Sequence, residues 1–234
     1  TQAGAGQPCA ATCIARGRCV RACVGGVLLM VLLGGCQTLP HTTSPRAAPD
    51  VVDARAAQQQ RTQALGLASG DCLQPGWAMA GRMAISNGKD AGAARFEWTQ
   101  GEGRLQLQLT APITAQTWVL QSDTQGAQLQ GMPQGSQHGA DAATLLRTAT
   151  GWDIPVQALG CWMRAVAASE FGLGAAQIHF DGQLLPRQIE QGGWKIEYSR
   201  WQLDPFSGLQ MPSRIDAQRG KSRVKLAIDR WGLE

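Results

Sequence analysis

The feature that most constrains this chain is a strict alternation of apolar and polar side chains. In Arg104-Leu105-Gln106-Leu107-Gln108-Leu109 every second residue is leucine, and the others are charged or amide-bearing. Successive side chains of an extended strand point to opposite faces, so this pattern puts three leucines on one side of a sheet and leaves the other side to water. Phe96 and Trp98 flank Glu97 in the same way. Trp194, Ile196 and Tyr198 alternate with Lys195, Glu197 and Ser199, and Val224, Leu226 and Ile228 with Lys225, Ala227 and Asp229. Trp118-Val119-Leu120 is a continuous apolar run, the mark of a more deeply buried strand. Turn residues separate these runs at Asn87-Gly88, Gly101-Glu102-Gly103, Gln191-Gly192-Gly193 and Gly220. One-faced strands joined by short turns make an antiparallel sheet, whose apolar face must be covered by helices or closed around a lumen.

Three stretches break the pattern. Asp50 is placed to cap a helix running through Arg55 and Leu65 and stopped by Gly70. Asp141 is placed to cap Ala142 to Thr150, with Gly151 as the stop. A second short helix is expected from Pro155, a good first-turn residue, to about Arg164.

The N-terminal part reads as an address. Arg16, Arg18 and Arg21 precede an apolar run, Val24 to Leu33, that ends in Leu33-Gly34-Gly35-Cys36. A spanning helix needs about 20 apolar residues, so this run is too short to cross a bilayer. Charge, short apolar core, two small residues and a cysteine form the pattern of a bacterial lipoprotein signal, in which the cysteine is lipidated and becomes the first mature residue. We therefore read residues 1–35 as the signal, residues 36–49 as lipidated Cys36 and a flexible, proline-bearing tether, and residues 50–234 as one folded domain. Residues 1–19 contain no methionine and either belong to this signal or lie upstream of the true start. Losing Arg16, Arg18 and Arg21 reduces the formal charge from +4 to +1, which removes the main support for a nucleic-acid partner. Cys9, Cys13, Cys19 and Cys23 leave with the signal. Cys72 and Cys161 remain, and their spacing alone leaves open whether they pair.

Catalytic and metal-binding patterns are missing from the sequence. There are 3 histidines, and no G-x-S-x-G elbow accompanies them. His179 reads as a partly exposed strand residue. Gly220-Lys221-Ser222 imitates the end of a phosphate loop, yet that loop needs a glycine where Ile215 stands, so a hairpin turn is expected. No zinc or calcium spacing appears, and neither an enzyme, a metal nor a cofactor is expected. Tryptophan stands out instead, with 8 against a single tyrosine, all within the mature chain. Such rings fill cores, and they also line lumens in curved sheets that hold lipid-sized ligands.

Several short segments carry a resemblance. They are Gly81-Arg82, Ala94-Arg95-Phe96-Glu97-Trp98, Leu109-Thr110-Ala111-Pro112-Ile113, Thr150-Gly151-Trp152-Asp153-Ile154-Pro155-Val156 with Leu159 and Trp162, Gln191 to Tyr198, Met211-Pro212, and Val224-Lys225-Leu226 through Trp231. In this order they resemble the LolB family, the outer-membrane lipoprotein receptors of Gram-negative bacteria. The resemblance implies a mainly β fold with some α: an incomplete antiparallel barrel, open on one side, partly covered by helices and enclosing an apolar cavity. It implies a monomeric receptor, anchored by lipid in the outer membrane and facing the periplasm. That receptor accepts acylated lipoproteins from a soluble periplasmic carrier chaperone and inserts them into outer-membrane phospholipid. Gln37, after Cys36, is compatible with sorting to the outer membrane. In the family an exposed apolar residue follows the loop proline. Ile113 holds that place here, followed by Thr114 where glycine is common, and is expected to enter lipid. Strand parity and family position together nominate Trp98, Leu105, Leu107, Trp162, Trp194 and Ile196 as cavity residues. The competing readings are a carrier of other lipid or glycolipid and a pilot-type lipoprotein.

Overall fold

The computed structural model describes residues 51–67, 72–73, 76–168 and 172–232. The expected signal, Cys36, the expected tether and the expected Asp50 cap lie outside these residues. Helix α1 is Val51–Ala64. It is followed by β1 (Trp77–Ser86), β2 (Ala91–Gly101), β3 (Arg104–Thr110), β4 (Thr117–Asp123), β5 (Gly126–Gln130) and the short β6 (Gln137–Gly139). Helices α2 (Ala142–Thr150) and α3 (Val156–Met163) come next. The chain then forms β7 (Gln177–Phe180), β8 (Pro186–Gln191), β9 (Trp194–Leu203), β10 (Gln210–Arg219) and β11 (Ser222–Gly232).

All the strands join one 11-stranded sheet in the order β6-β5-β4-β3-β2-β1-β11-β10-β9-β8-β7. Each pairs antiparallel with its neighbour. First and last strands meet in the middle, while the two edges, β6 and β7, come from the middle of the chain with α2 and α3 between them. This is the expected open, mainly β architecture with a few helices.

The register carries the alternation across strands. Leu129, Leu120, Leu107, Trp98, Met79 and Trp231 lie side by side on six neighbouring strands, β5 to β1 and then β11. Ile189, Ile196, Ala217, Val224 and Ile85 form a second row on β8 to β11 and β1. All these residues are buried, so the two rows belong to one apolar face.

The turns follow their sequence signals. The β2–β3 hairpin closes with Glu102 and Gly103 at φ 52° and 71°, and the β8–β9 hairpin with Gly192 and Gly193 at 56° and 75°. Two consecutive left-handed residues match the twist of the strands they join. Gly220-Lys221 is a hairpin turn, as expected, and Asn87 to Asp90 turn β1 into β2. Gly81 is required for a different reason. The β1–β11 register shifts between Ala80 and Gly81, and a Cβ at Gly81 would lie 2.2 Å from the Ala227 carbonyl oxygen. Only glycine lets the two backbones approach this closely, and the Phe96 ring, its partner on β2, is buried beside it.

The helix ends agree with expectation at α2 and depart from it at α1. Asp141 Oδ1 accepts from the Thr144 N–H at 2.8 Å, and Gly151, at φ 74°, stops the helix with its N–H on Arg147 O. The Thr144 N–H bond is the leading cause of an Asp141 pKa below the usual carboxylate range. Pro155 is the residue before α3, one position earlier than expected, and its carbonyl accepts from Leu159 N at 3.0 Å. Helix α1 ends at Ala64, short of Gly70, because Gly66 already takes the left-handed conformation at φ 69°.

Cys72 and Cys161 form a disulfide with Cα atoms 5.2 Å apart, which settles the open pairing. It ties the segment before β1 to α3 across 89 positions of sequence.

Candidate functional site

The interior divides into two differently built parts. The first is a tryptophan core. Trp77 stacks on Trp98 at 5.8 Å between ring centres and meets Trp231 at 5.6 Å, while Trp162 meets Trp194 at 6.0 Å. Polar groups pin these rings. Gln191 Oε1 accepts from Trp162 Nε1 at 2.9 Å and from Ala168 N at 2.8 Å, and Gln191 Nε2 donates to Ala168 O and Gly174 O. Trp231 Nε1 donates to Pro212 O at 2.9 Å and Trp98 Nε1 to Gln100 Oε1 at 3.3 Å. Tyr198 Oη donates to Trp162 O at 2.6 Å. The Arg164 guanidinium, almost fully buried, lies 4.7 Å over Trp77 and donates to Gly160 O and Cys72 O. Gln100 donates to the same Cys72 carbonyl. Aromatic faces, a buried cation and satisfied amides fix this region in one arrangement.

The second part is an aliphatic slot. Its floor is Met83 and Ile85 of β1, Leu107 and Leu109 of β3, Trp118 and Leu120 of β4, Leu129 of β5 and Val224 of β11. Its roof is Leu146 of α2, Val156 and Leu159 of α3, and Trp152 and Ile154 between the helices. Every lining residue is apolar. The free space is about 40 Å³, room for a few waters at most and too little for a long acyl chain unless floor and roof part. The two parts of the roof are held differently: α3 is bonded to the frame through Trp162, Gln191, Tyr198 and the Cys72–Cys161 disulfide, and Asp153 pairs with Arg219 of β10, whereas Leu146 of α2 and Trp152 cover the floor by apolar contact.

The strand register locates the slot along the barrel. Ile85, Val224, Leu109 and Trp118 sit near the end where β3 passes into β4. That connection, residues 111–116, carries Ile113, which is 95% exposed. Ala111 N donates to Gln116 O at 2.9 Å and Ala115 N to Ala111 O at 3.1 Å, so the loop is a closed turn with Ile113 at its tip.

The opposite end has a wider groove of about 950 Å³, bordered by Trp77, Gln100, Leu105, Ser122 and Ala127. Gln106, Gln121 and Gln128 also border it, although by strand parity they belong to the outer face. Its mixed, amide-rich lining suits water better than an acyl chain.

The six nominated cavity residues fall in different places. Leu107 lies on the slot floor, and Leu105 borders the polar groove. Trp98, Trp162, Trp194 and Ile196 pack in the core and line neither space. Trp118, Leu120, Leu129, Trp152 and Ile154 were not nominated and do line the slot. The cross-strand register that places Leu120 and Leu129 beside Leu107 is a long-range property. Trp118-Val119-Leu120 was visible as a buried run without indicating what it would face. His179 is exposed on β7, as its bland reading anticipated.

A family model described as "Outer membrane lipoprotein LolB" matches residues 75–231. An outer-membrane lipoprotein LolB of Xanthomonas campestris pv. campestris (strain 8004) is 37% identical over 210 residues, covering 88% of this chain and 94% of the relative. The LolB of Xylella fastidiosa (strain Temecula1) is 33% identical over 210 residues, covering 88% and 92%. Among solved structures, a LolA superfamily protein from Nitrosomonas europaea aligns over 76% of this chain and 93% of its own, with a TM-score of 0.44 and 12% identity. Among the described residues no helix is long and apolar enough to cross a membrane. The match over most of the folded domain, with the ordered motifs and the open antiparallel sheet under two helices, places this chain in the LolB family of outer-membrane lipoproteins.

Proposed function

We propose that this protein receives acylated lipoproteins from a soluble periplasmic carrier and releases them into the inner leaflet of the outer membrane, to which Cys36 anchors it by lipid. The observation that carries the reading is the aliphatic slot beside the Ile113 loop. An acyl chain crossing water costs about 0.8 kcal/mol for each exposed CH₂, on the order of 10 kcal/mol for a long chain. A host must therefore be apolar, and it must also let go. The slot meets the first need by composition. It meets the second because it is nearly closed at rest: holding a chain means lifting α2 and Trp152 from the sheet while α3 stays with the frame, and closure returns that energy on release. Transfer then runs downhill from carrier to slot to bilayer and needs no bond-breaking chemistry. In this scheme Ile113 enters lipid next to the slot and starts the exit. Leu107 contacts cargo directly, whereas Trp98, Trp162, Trp194 and Ile196 support the wall behind it.

The test is transfer of a labelled triacylated lipoprotein from its carrier to this protein, without nucleotide, followed by addition of liposomes. Ile113→Glu is expected to accept the lipoprotein at the normal rate and to lose most of its release. Normal release by that variant would remove Ile113 from the mechanism, and no transfer by the unaltered protein would overturn the reading itself.

A further inference from the structure

The Ile113 loop has a counterpart at the other end of the barrel. Residues 204–209, Asp204-Pro205-Phe206-Ser207-Gly208-Leu209, join β9 to β10 and repeat the construction of Ala111-Pro112-Ile113-Thr114-Ala115-Gln116 position by position. The first N–H donates to the sixth carbonyl at 2.8 Å and the fifth N–H to the first carbonyl at 2.9 Å, as they do around Ile113. The second residue is proline in both loops and the fourth carries a hydroxyl. The fifth is left-handed, with φ 55° at Ala115 and 69° at Gly208. The third residue is a bare apolar tip, with Phe206 77% exposed.

Asp204 makes this second loop stiffer. Its carboxylate is buried and accepts from Ser207 N at 2.8 Å and Ser207 Oγ at 2.6 Å. Four large apolar residues stand exposed among the described residues, namely Ile113, Leu184, Leu203 and Phe206. The register puts the last three together at the end opposite Ile113, Leu184 in the β7–β8 turn and Leu203 beside Phe206. From Arg200 to Gln210 the only acidic group is buried Asp204, Arg200 pairs across the sheet with Arg214, and the one acid in the Leu184 turn, half-buried Asp181, is engaged by the Gln183 and Leu185 N–H groups. The surface is apolar with cationic flanks, which suits an anionic phospholipid surface.

The anchored chain joins the fold at this same end. Arg61, in the last turn of α1, donates to the carbonyl of Gln210, the residue directly after the loop, at 2.9 Å. Resting on the transfer function proposed above, we propose that the Phe206 loop, with Leu203 and Leu184, is a second membrane contact that seats the domain on the phospholipid surface between deliveries. Seated this way, the protein turns the slot and Ile113 toward the periplasm, where a loaded carrier arrives. Delivery then requires the domain to turn over. Its strands are about 35 Å long at roughly 3.3 Å per residue. The 15 steps from Cys36 to Val51 reach up to about 50 Å when extended, enough for either end to meet the membrane.

The anchored protein carrying Phe206→Cys tests this. Cys36 is acylated and Cys72 is bonded to Cys161, so a nitroxide label attaches at position 206. In vesicles of phosphatidylethanolamine and phosphatidylglycerol, collisions with oxygen relative to a water-soluble nickel chelate are expected to rise several-fold over a label at Lys89→Cys, in the β1–β2 turn at the Ile113 end. The matching Ile113→Cys label is expected to stay aqueous until lipoprotein is loaded. An aqueous label at 206 overturns the proposal. So does a label that is indifferent to vesicles and immobilised only by the soluble carrier, which would make the loop a protein dock. Phe206→Glu in the Cys36→Ser chain, with unchanged circular dichroism, is expected to lower vesicle co-flotation several-fold, and unchanged flotation counts against the seat. Lipoprotein transfer by unaltered protein, followed in the same vesicles, reports separately on the underlying function.

Discussion

The tryptophan core and the aliphatic slot belong to one continuous interior and are built on opposite rules. The core combines rings, a buried arginine, two glutamines and a tyrosine hydroxyl in specific bonds, and lies against a disulfide. The slot has leucine, isoleucine, valine and methionine with two tryptophans, and α2 and Trp152 cover it by apolar contact. The first arrangement resists motion because any displacement breaks several bonds at once. The second loses only contact area when it opens, and a hydrocarbon ligand restores that area. A lipid carrier needs both, a frame that holds its shape and a wall that yields.

Truncations on the two sides sharpen this contrast. Trp98→Ala is expected to cost about 4 kcal/mol in denaturant unfolding, since a buried ring is lost and Gln100 loses a partner. Leu120→Ala, on the slot floor, is expected to cost roughly 2–3 kcal/mol and to increase binding of a fluorescent fatty acid, because it enlarges a space that already accepts apolar groups. Equal gains in probe binding from both variants would break the distinction.

Removing the disulfide by Cys161→Ser is expected to cost about 3 kcal/mol. The loss should appear in protection of the β1 and α3 amides against hydrogen exchange before it appears around α2. Uniform loss would mean that the frame and the slot unfold as one body.

At the helix roofing the slot, Asp141→Ala is expected to cost about 1 kcal/mol at neutral pH. Asp141 has its pKa depressed in the folded state, so its contribution is fully present above the unfolded value of about 3.9 and fades as pH falls through the folded one. The unaltered protein and Asp141→Ala are thus expected to draw together in stability as pH falls below the unfolded carboxylate value. The smallest effect is expected at Ala115, a non-glycine residue at φ 55°. Ala115→Gly relieves the left-handed conformation and is expected to stabilise by up to about 1 kcal/mol.

Much of the frame was legible in the sequence because its determinants are local. Period-two runs announced β2, β3, β9 and β11, paired glycines and Asn-Gly announced turns, and Asp141 with Gly151 marked both ends of α2. The slot was harder to read. Parity identifies Leu105 and Leu107 alike as inward-facing, and what separates them is their neighbours, Ser122 and Ala127 beside Leu105 but Leu120 and Leu129, with the helices above, beside Leu107. Trp162 and Trp194 looked like cavity residues because a buried ring and a lumen ring have the same pattern. What distinguishes them is Gln191 and Arg219, which hold them from other strands. Ile113 was reached through the family resemblance alone, since its own sequence does not say whether a loop isoleucine points outward or folds back onto the core.

The meeting of β1 with β11 in mid-sheet has a mechanical consequence. Because first and last strands are zipped together, the open seam lies between β6 and β7, and a single stretch of chain containing α2 and α3 runs from one lip to the other. Widening the seam therefore pulls on one strap and unzips no ladder. The seam can widen while its back, the β1–β11 ladder, stays paired, like a purse with its hinge stitched along the back.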